Sequence, residues 1–108
     1  KDHPLSIKSL ENLEKLDLFI TKNLKVTFGN RIMKQIRAFV PVYVACGGSE
    51  VEALDYMVAR KIFRKFESLN LPFLQDEINE LSTLIDRLFG KNNFVECQAY
   101  LTNIKRQF

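Results

Sequence analysis

The side chains whose types and spacing suit chemistry begin with Arg31. It directly follows Gly29-Asn30, where a helix is expected to start, and Lys34 and Arg37 succeed it at three-residue steps. A guanidinium fork beside the unpaired N–H groups of a helix start suits a phosphate, because both offer donors and positive charge. The competing reading is a solvated Arg beside an apolar stripe. Arg60, Lys61, Arg64 and Lys65 form a second basic cluster, in the later half of an expected helix, where the helix dipole alone favours positive charge. Asp76, Glu77 and Glu80 are close carboxylates, but at helical spacing they read as a solvated face. Cys46 and Cys97 lie far apart with no CxxC and no clustered His, so they read as buried free thiols and not as metal ligands, with a disulfide as the alternative.

Other chemistry lacks its parts. There is no G-x-x-x-x-G-K-[ST] and no G-x-G-x-x-G, hence no phosphate loop of known type. His3 is the single histidine; beside Pro4 near the terminus it has no expected ligand or catalytic role, and no Ser or Cys gains a base from it.

The elements that must position these residues are helical. Ser6 to Leu24 carries Leu10, Leu13, Leu16, Leu18, Phe19 and Ile20 at mostly three- and four-residue steps, which predicts an amphipathic helix. Residues 25–30 are a connector. A second helix is expected from near Asn30, with Thr27 or Asn30 as its cap and Ile32, Met33, Ile36, Phe39, Val40, Tyr43 and Val44 on its apolar face. Pro41 should kink it, or end and restart it, and Gly47-Gly48 should stop it. Ser49-Glu50-Val51-Glu52 has the form of a capping box for a third helix, Glu50 to about Glu67. A fourth is expected over Phe73–Phe89, ended by Gly90, and a fifth after Asn93-Phe94-Val95-Glu96, with Val95, Cys97, Tyr100, Leu101 and Ile104 facing inward. The fold class is therefore all-α: one domain over 1–108, a compact bundle of about five helices.

Composition agrees. With 108 residues, 46% hydrophobic and 27% charged, the chain has room for one core and no place for a complete nucleotide-hydrolysing engine. The net charge is +3, made of +4 in residues 1–48 (eight basic, four acidic), 0 in 49–70 (four and four) and −1 in 71–108 (four and five). The positive excess thus lies in the half that carries Arg31. Signal-peptide regions are lacking, and the longest apolar run, Ala38 to Cys46, is nine residues with Pro41 inside it, too short for a bilayer. A cytoplasmic location without membrane contact is expected. The chain begins Lys1-Asp2 and not Met, which reads as a fragment or a processed chain.

The order of features also resembles a family. Phe28-Gly29-Asn30-Arg31 followed by Ile32-Met33-Lys34-Gln35-Ile36 resembles the F-G-x-R-x-x-x-E/Q-I segment of McrB-type, MoxR-like AAA+ motor proteins of modification-dependent restriction. Ala53-Leu54-Asp55-Tyr56-Met57 and Lys61-Ile62-Phe63-Arg64-Lys65-Phe66 are similar to that group's A-L-D and Q-K-I-L-P-K-L helix, with Arg64 where the family commonly has Pro. The resemblance covers roughly residues 25–106. It implies the C-terminal helical lid of an AAA+ module whose nucleotide-binding core precedes Lys1. It also implies that Arg31 is the sensor-2 arginine reaching the terminal phosphates, with Lys34 and Arg37 as auxiliaries or inter-subunit contacts. Asp55 and Lys61 would be structural, between helices. No cofactor belongs to this segment itself; ATP or GTP with Mg is implied for the full-length protein. The implied partners are the core of the same chain, further copies in a homo-oligomeric ring (a hexamer), a nuclease subunit and DNA. The 108 residues alone would not be an enzyme, only part of an ATPase or GTPase. The alternatives are a stand-alone helical nucleic-acid-binding module, for which the basic first half speaks, and a protein-interaction bundle using Phe39 to Val44.

Overall fold

In a computed structural model of the chain, residues 5–107 are described, and His3 lies outside them. Five α-helices are present: α1 (Ile7–Leu24), α2 (Gly29–Ala45), α3 (Glu50–Lys61), α4 (Gln75–Phe89) and α5 (Val95–Lys105). No strand occurs among the described residues. The principal extents are 43 × 26 × 20 Å. α3 is central, packed on α2 and on α5, while α1 packs along α4.

α1 starts where a local cap is available: the Ser6 hydroxyl accepts the Ser9 N–H at 3.1 Å. Its buried stripe is Leu13, Leu16, Ile20 and Leu24; Leu18, in register with the opposite side, is 66% exposed. Asn12 is buried on the same stripe and donates from Nδ2 to the Leu88 carbonyl at 2.9 Å, tying α1 to the last turn of α4. α2 buries Ile32, Ile36, Val40 and Pro41 and runs through Pro41 without ending. Phe39, Tyr43 and Val44 are half-buried, which leaves Val42 as the strongly exposed apolar side chain of that stretch.

α3 opens with the expected capping box: Ser49 Oγ accepts the Glu52 N–H at 3.0 Å, and Glu52 Oε1 accepts the Ser49 N–H at 3.1 Å. It does not reach Glu67. The α-helix stops at Lys61, and Phe63–Ser68 tightens to a 3-10 helix. In that geometry side chains at i and i+3 eclipse. Phe63 and Phe66 therefore both enter the core, at 0% exposure, with ring centroids 4.9 Å apart. A continued α-helix would turn the second ring aside by about 60°.

α4 starts two residues later than the pattern predicts. Leu71–Leu74 is a short 3-10 turn with Pro72 near its start, and Phe73, which lies on it ahead of the amphipathic register, is 82% exposed. Gly90, at φ +97°, ends α4 as expected, and its N–H donates to the Asp86 carbonyl. Phe89 and Phe94 stack at 4.0 Å across the short link to α5. α5 buries Cys97, Leu101 and Ile104, but Val95 points out. Both cysteines are free thiols; Cys97 is buried, whereas Cys46 is exposed because it follows the end of α2. No helix among the described residues is long and apolar enough to cross a membrane.

Candidate functional site

The start of α2 is built by α1. Lys25 takes a left-handed turn (φ 60°) that ends α1, and Val26 and Phe28 then drop into the core. Neither Thr27 nor Asn30 caps α2. Asp17 on α1 instead fixes the residue that precedes the helix: its Oδ1 accepts the Phe28 N–H at 3.2 Å and the Thr21 hydroxyl at 3.1 Å. A carboxylate supplied from eleven residues upstream holds the Phe28 N–H and leaves those of Gly29, Asn30 and Arg31 without a side-chain cap. The Thr21 hydroxyl also lies 3.2 Å from the Val26 carbonyl and shares its single proton between the two oxygens, so α1 holds both ends of the connector. Gly29 has φ +75°, a conformation that side chains with a Cβ adopt at a cost, which accounts for glycine there.

Asn30 and Arg31 follow on an exposed surface. Arg31, Lys34 and Arg37 are all exposed, and among the described residues none makes a hydrogen bond or an ion pair through its side chain. At 3.6 residues per turn, Lys34 sits roughly 60° round the helix from Arg31, and Arg37 roughly 120°. The three do not converge on one point. Arg37 lines a shallow cavity of about 290 Å³ with Glu14 and Asp17 of α1, which lies off the face that bears Arg31. Ile32 and Ile36 hold α2 in the core, so Arg31 projects from a fixed scaffold.

The second helix start gives the contrast. Asp55, on α3, is 4% exposed. Its Oδ2 accepts the Glu96 N–H and its Oδ1 the Cys97 N–H, both at 2.8 Å, so one carboxylate closes the N-terminus of α5. The Asn93 amide instead donates to the Phe89 carbonyl at 2.8 Å, and α5 has no local side-chain cap. Burial pushes the Cys97 thiol well above its ordinary value, with the Asp55 charge and hydrogen bond adding to the shift, so this sulfur stays protonated and inert. The signal in the sequence is an acid within an otherwise apolar register, Ala53, Leu54, Met57 and Val58. Asp55 is thus a helix-to-helix contact; Lys61, the other position expected to be one, is exposed and makes no side-chain hydrogen bond.

Of the second basic cluster, Arg60 is already engaged. Its guanidinium lies 3.9 Å over the Tyr56 ring and 3.4 Å from Glu96, while Phe39 stacks on Tyr56 at 5.4 Å. Lys65 lines a different cleft, with Lys25; Arg64 lines that cleft and also the hollow beside Arg60, Glu67 and Tyr100. Asp76 and Glu80 are exposed and Glu77 half-buried, and they make no ion pair. Among the described residues, no group of three His, Cys, Asp or Glu side chains is placed to hold a metal. Compared with family models, curated proteins and solved structures, the chain matches none.

Proposed function

We propose that this domain is the helical lid of a McrB-type AAA+ nucleoside-triphosphatase, closing over bound nucleotide and coupling hydrolysis to motion between ring subunits. The observation that supports the reading is the state of Arg31: exposed in the first turn of α2, next to a glycine-opened helix start, with no carboxylate paired to it. An Arg held in this way keeps all its donors for an incoming anion, and phosphate geometry matches its planar fork. The chemistry of such a lid is electrostatic. Charge that accumulates on the terminal phosphate oxygens during transfer is stabilised by a guanidinium already in position.

The rest of the domain makes that position rigid. Ile32, Ile36 and Val40 anchor α2 against α3, and Asp17 fixes the backbone just before Gly29. A rotation of the whole domain therefore carries Arg31 towards or away from a phosphate as one body. The base and the metal would be read by the core that, in this proposal, lies N-terminal in the same polypeptide. ATP and GTP are both compatible, since nothing in the lid's phosphate contact touches the base.

The test uses the full-length protein. Arg31→Ala should lower turnover by about tenfold or more, and Arg31→Lys should restore it only in part, because a point charge lacks the fork. Undiminished turnover in the Ala variant overturns the assignment. The 108-residue chain alone should hydrolyse neither ATP nor GTP.

A further inference from the structure

A cleft separate from the α2 start brings together charges that the sequence keeps apart. It has a volume of about 640 Å³ and lies between the connector after α1 and the 3-10 segment after α3. Lys25 comes from the first, Arg64 and Lys65 from the second. The two walls are joined by the Lys65 ammonium, which donates to the Thr27 carbonyl at 3.4 Å across 38 residues of sequence. The Lys25 ammonium donates to the Lys22 carbonyl at 3.0 Å, over the last turn of α1.

Each of these bonds uses one of three ammonium donors and cancels no charge. The helix dipole explains a lysine at the end of α1, but not why Arg64 and Lys65 face it. Among the described residues the one ion pair is Arg60–Glu96, so none of the three cations in the cleft is paired. The single acid lining it, Glu67, already accepts the Tyr100 hydroxyl at 3.0 Å. Three cations without an ion pair, set about one trough with a single carboxylate that serves a tyrosine, leave a net charge of about +2 there.

The form of the cleft narrows the anion. Its apolar lining is Val26 and Leu69, with no aromatic ring on which a base could stack. It is an open trough whose cations come from two walls, which suits successive phosphates along a chain better than one enclosed nucleotide. We propose that this cleft is a sequence-independent site for the phosphate backbone of duplex nucleic acid, with Lys25, Arg64 and Lys65 as its contacts. Binding of this kind positions a duplex without reading it. This site is independent of the Arg31 assignment.

The experiment is fluorescence anisotropy of the 108-residue chain with a short labelled DNA duplex of arbitrary sequence. Three neutralised phosphates predict that affinity falls by about 40-fold between about 50 mM and about 200 mM salt. Lys25→Asn/Arg64→Gln/Lys65→Gln should weaken binding about tenfold or more at the lower salt and flatten the salt dependence. Asn tolerates the left-handed backbone at position 25. Lys8→Gln/Lys91→Gln/Arg106→Gln removes the same charge at exposed positions outside the cleft and should leave binding within about twofold of the parent. Arg64→Lys/Lys65→Arg keeps the charges and should keep binding. Thermal unfolding of each variant shows that it folds; if the triple variant does not, the single exposed change Arg64→Gln is read in its place and should weaken binding about threefold. No binding by the parent chain, equal loss in both charge-removal triples, or displacement of the duplex by polyglutamate as readily as by unlabelled DNA of equal charge would each overturn the proposal.

Discussion

Two helix starts in this molecule meet the same physical problem in opposite ways. At α5 the free N–H groups of Glu96 and Cys97 are closed by a buried carboxylate, Asp55, with both oxygens in use at 2.8 Å. At α2 a half-buried carboxylate, Asp17, takes one backbone N–H, that of Phe28, beside the Thr21 hydroxyl, and the chain then opens through Gly29 to exposed Asn30 and Arg31. The first arrangement commits an acid to structure, so those two N–H groups are not offered to a ligand. The second places a cation where the first places an anion. A helix start whose donors are consumed inside the fold is a joint; one that faces solvent with an unpaired Arg beside it is free to meet a phosphate.

The comparison predicts a steep difference in stability effects. Asp55→Ala leaves one buried and one part-buried N–H group without acceptors and should destabilise the chain by about 3 kcal/mol. Equilibrium urea unfolding of the 108-residue chain measures it; a loss near zero would show that the α5 start is not held by Asp55. Asp17→Ala removes one half-buried acceptor from Phe28 and a partner of Thr21, and should cost about 1 kcal/mol by the same measurement. If it equals the Asp55 loss, the two starts are not different in kind.

A smaller effect belongs to the closed region alone. The Tyr100 hydroxyl donates to Glu67, and burial, with that bond and charge, pushes it up from 10 to about 12. The folded state then holds this proton more tightly than the unfolded one. Its contribution is fully present below pH 10 and is lost as pH rises towards about 12. Tyr100→Phe should flatten the fall in unfolding free energy over that window. It should not abolish it, because Cys97 acts in the same direction. An unchanged slope would remove Tyr100 from the account.

The smallest effect is expected at the open start. Arg31→Ala should shift stability by no more than about 0.5 kcal/mol, since the side chain is exposed and unpaired. A larger loss in thermal or urea unfolding would make Arg31 a structural residue and narrow the gap between the two starts. The thiols mark the same divide: Cys46 should react with a thiol reagent in the native state, and Cys97 only on unfolding.

Much of the architecture was legible because it is local. The stripe of α1, the capping box at Ser49 and Glu52, and the glycine that ends α4 all depend on partners within a few residues. The end of α3 was not, because the apolar spacing of Ile62, Phe63 and Phe66 fits a continuing α-helix as well as the 3-10 segment that forms. What chose between them was room in the core for two stacked rings. The start of α2 is not legible either, for a related reason. Thr27 and Asn30 are good local caps, but Asp17 reaches the connector first, and only the folded α1 brings it there.

By itself, then, the sequence determined an all-helical chain, the inward face of most of its helices, and an Arg just inside the start of α2. Those follow from hydrogen bonds and side-chain periods that close within one or two turns. Only the tertiary structure decided that Asp55 is a cap and Asp17 a clamp, that Arg60 is paired, and that Lys25 shares a cleft with Arg64 and Lys65. Each depends on partners eleven to about forty residues away, and the fate of a charge is set by what lies beside it in space.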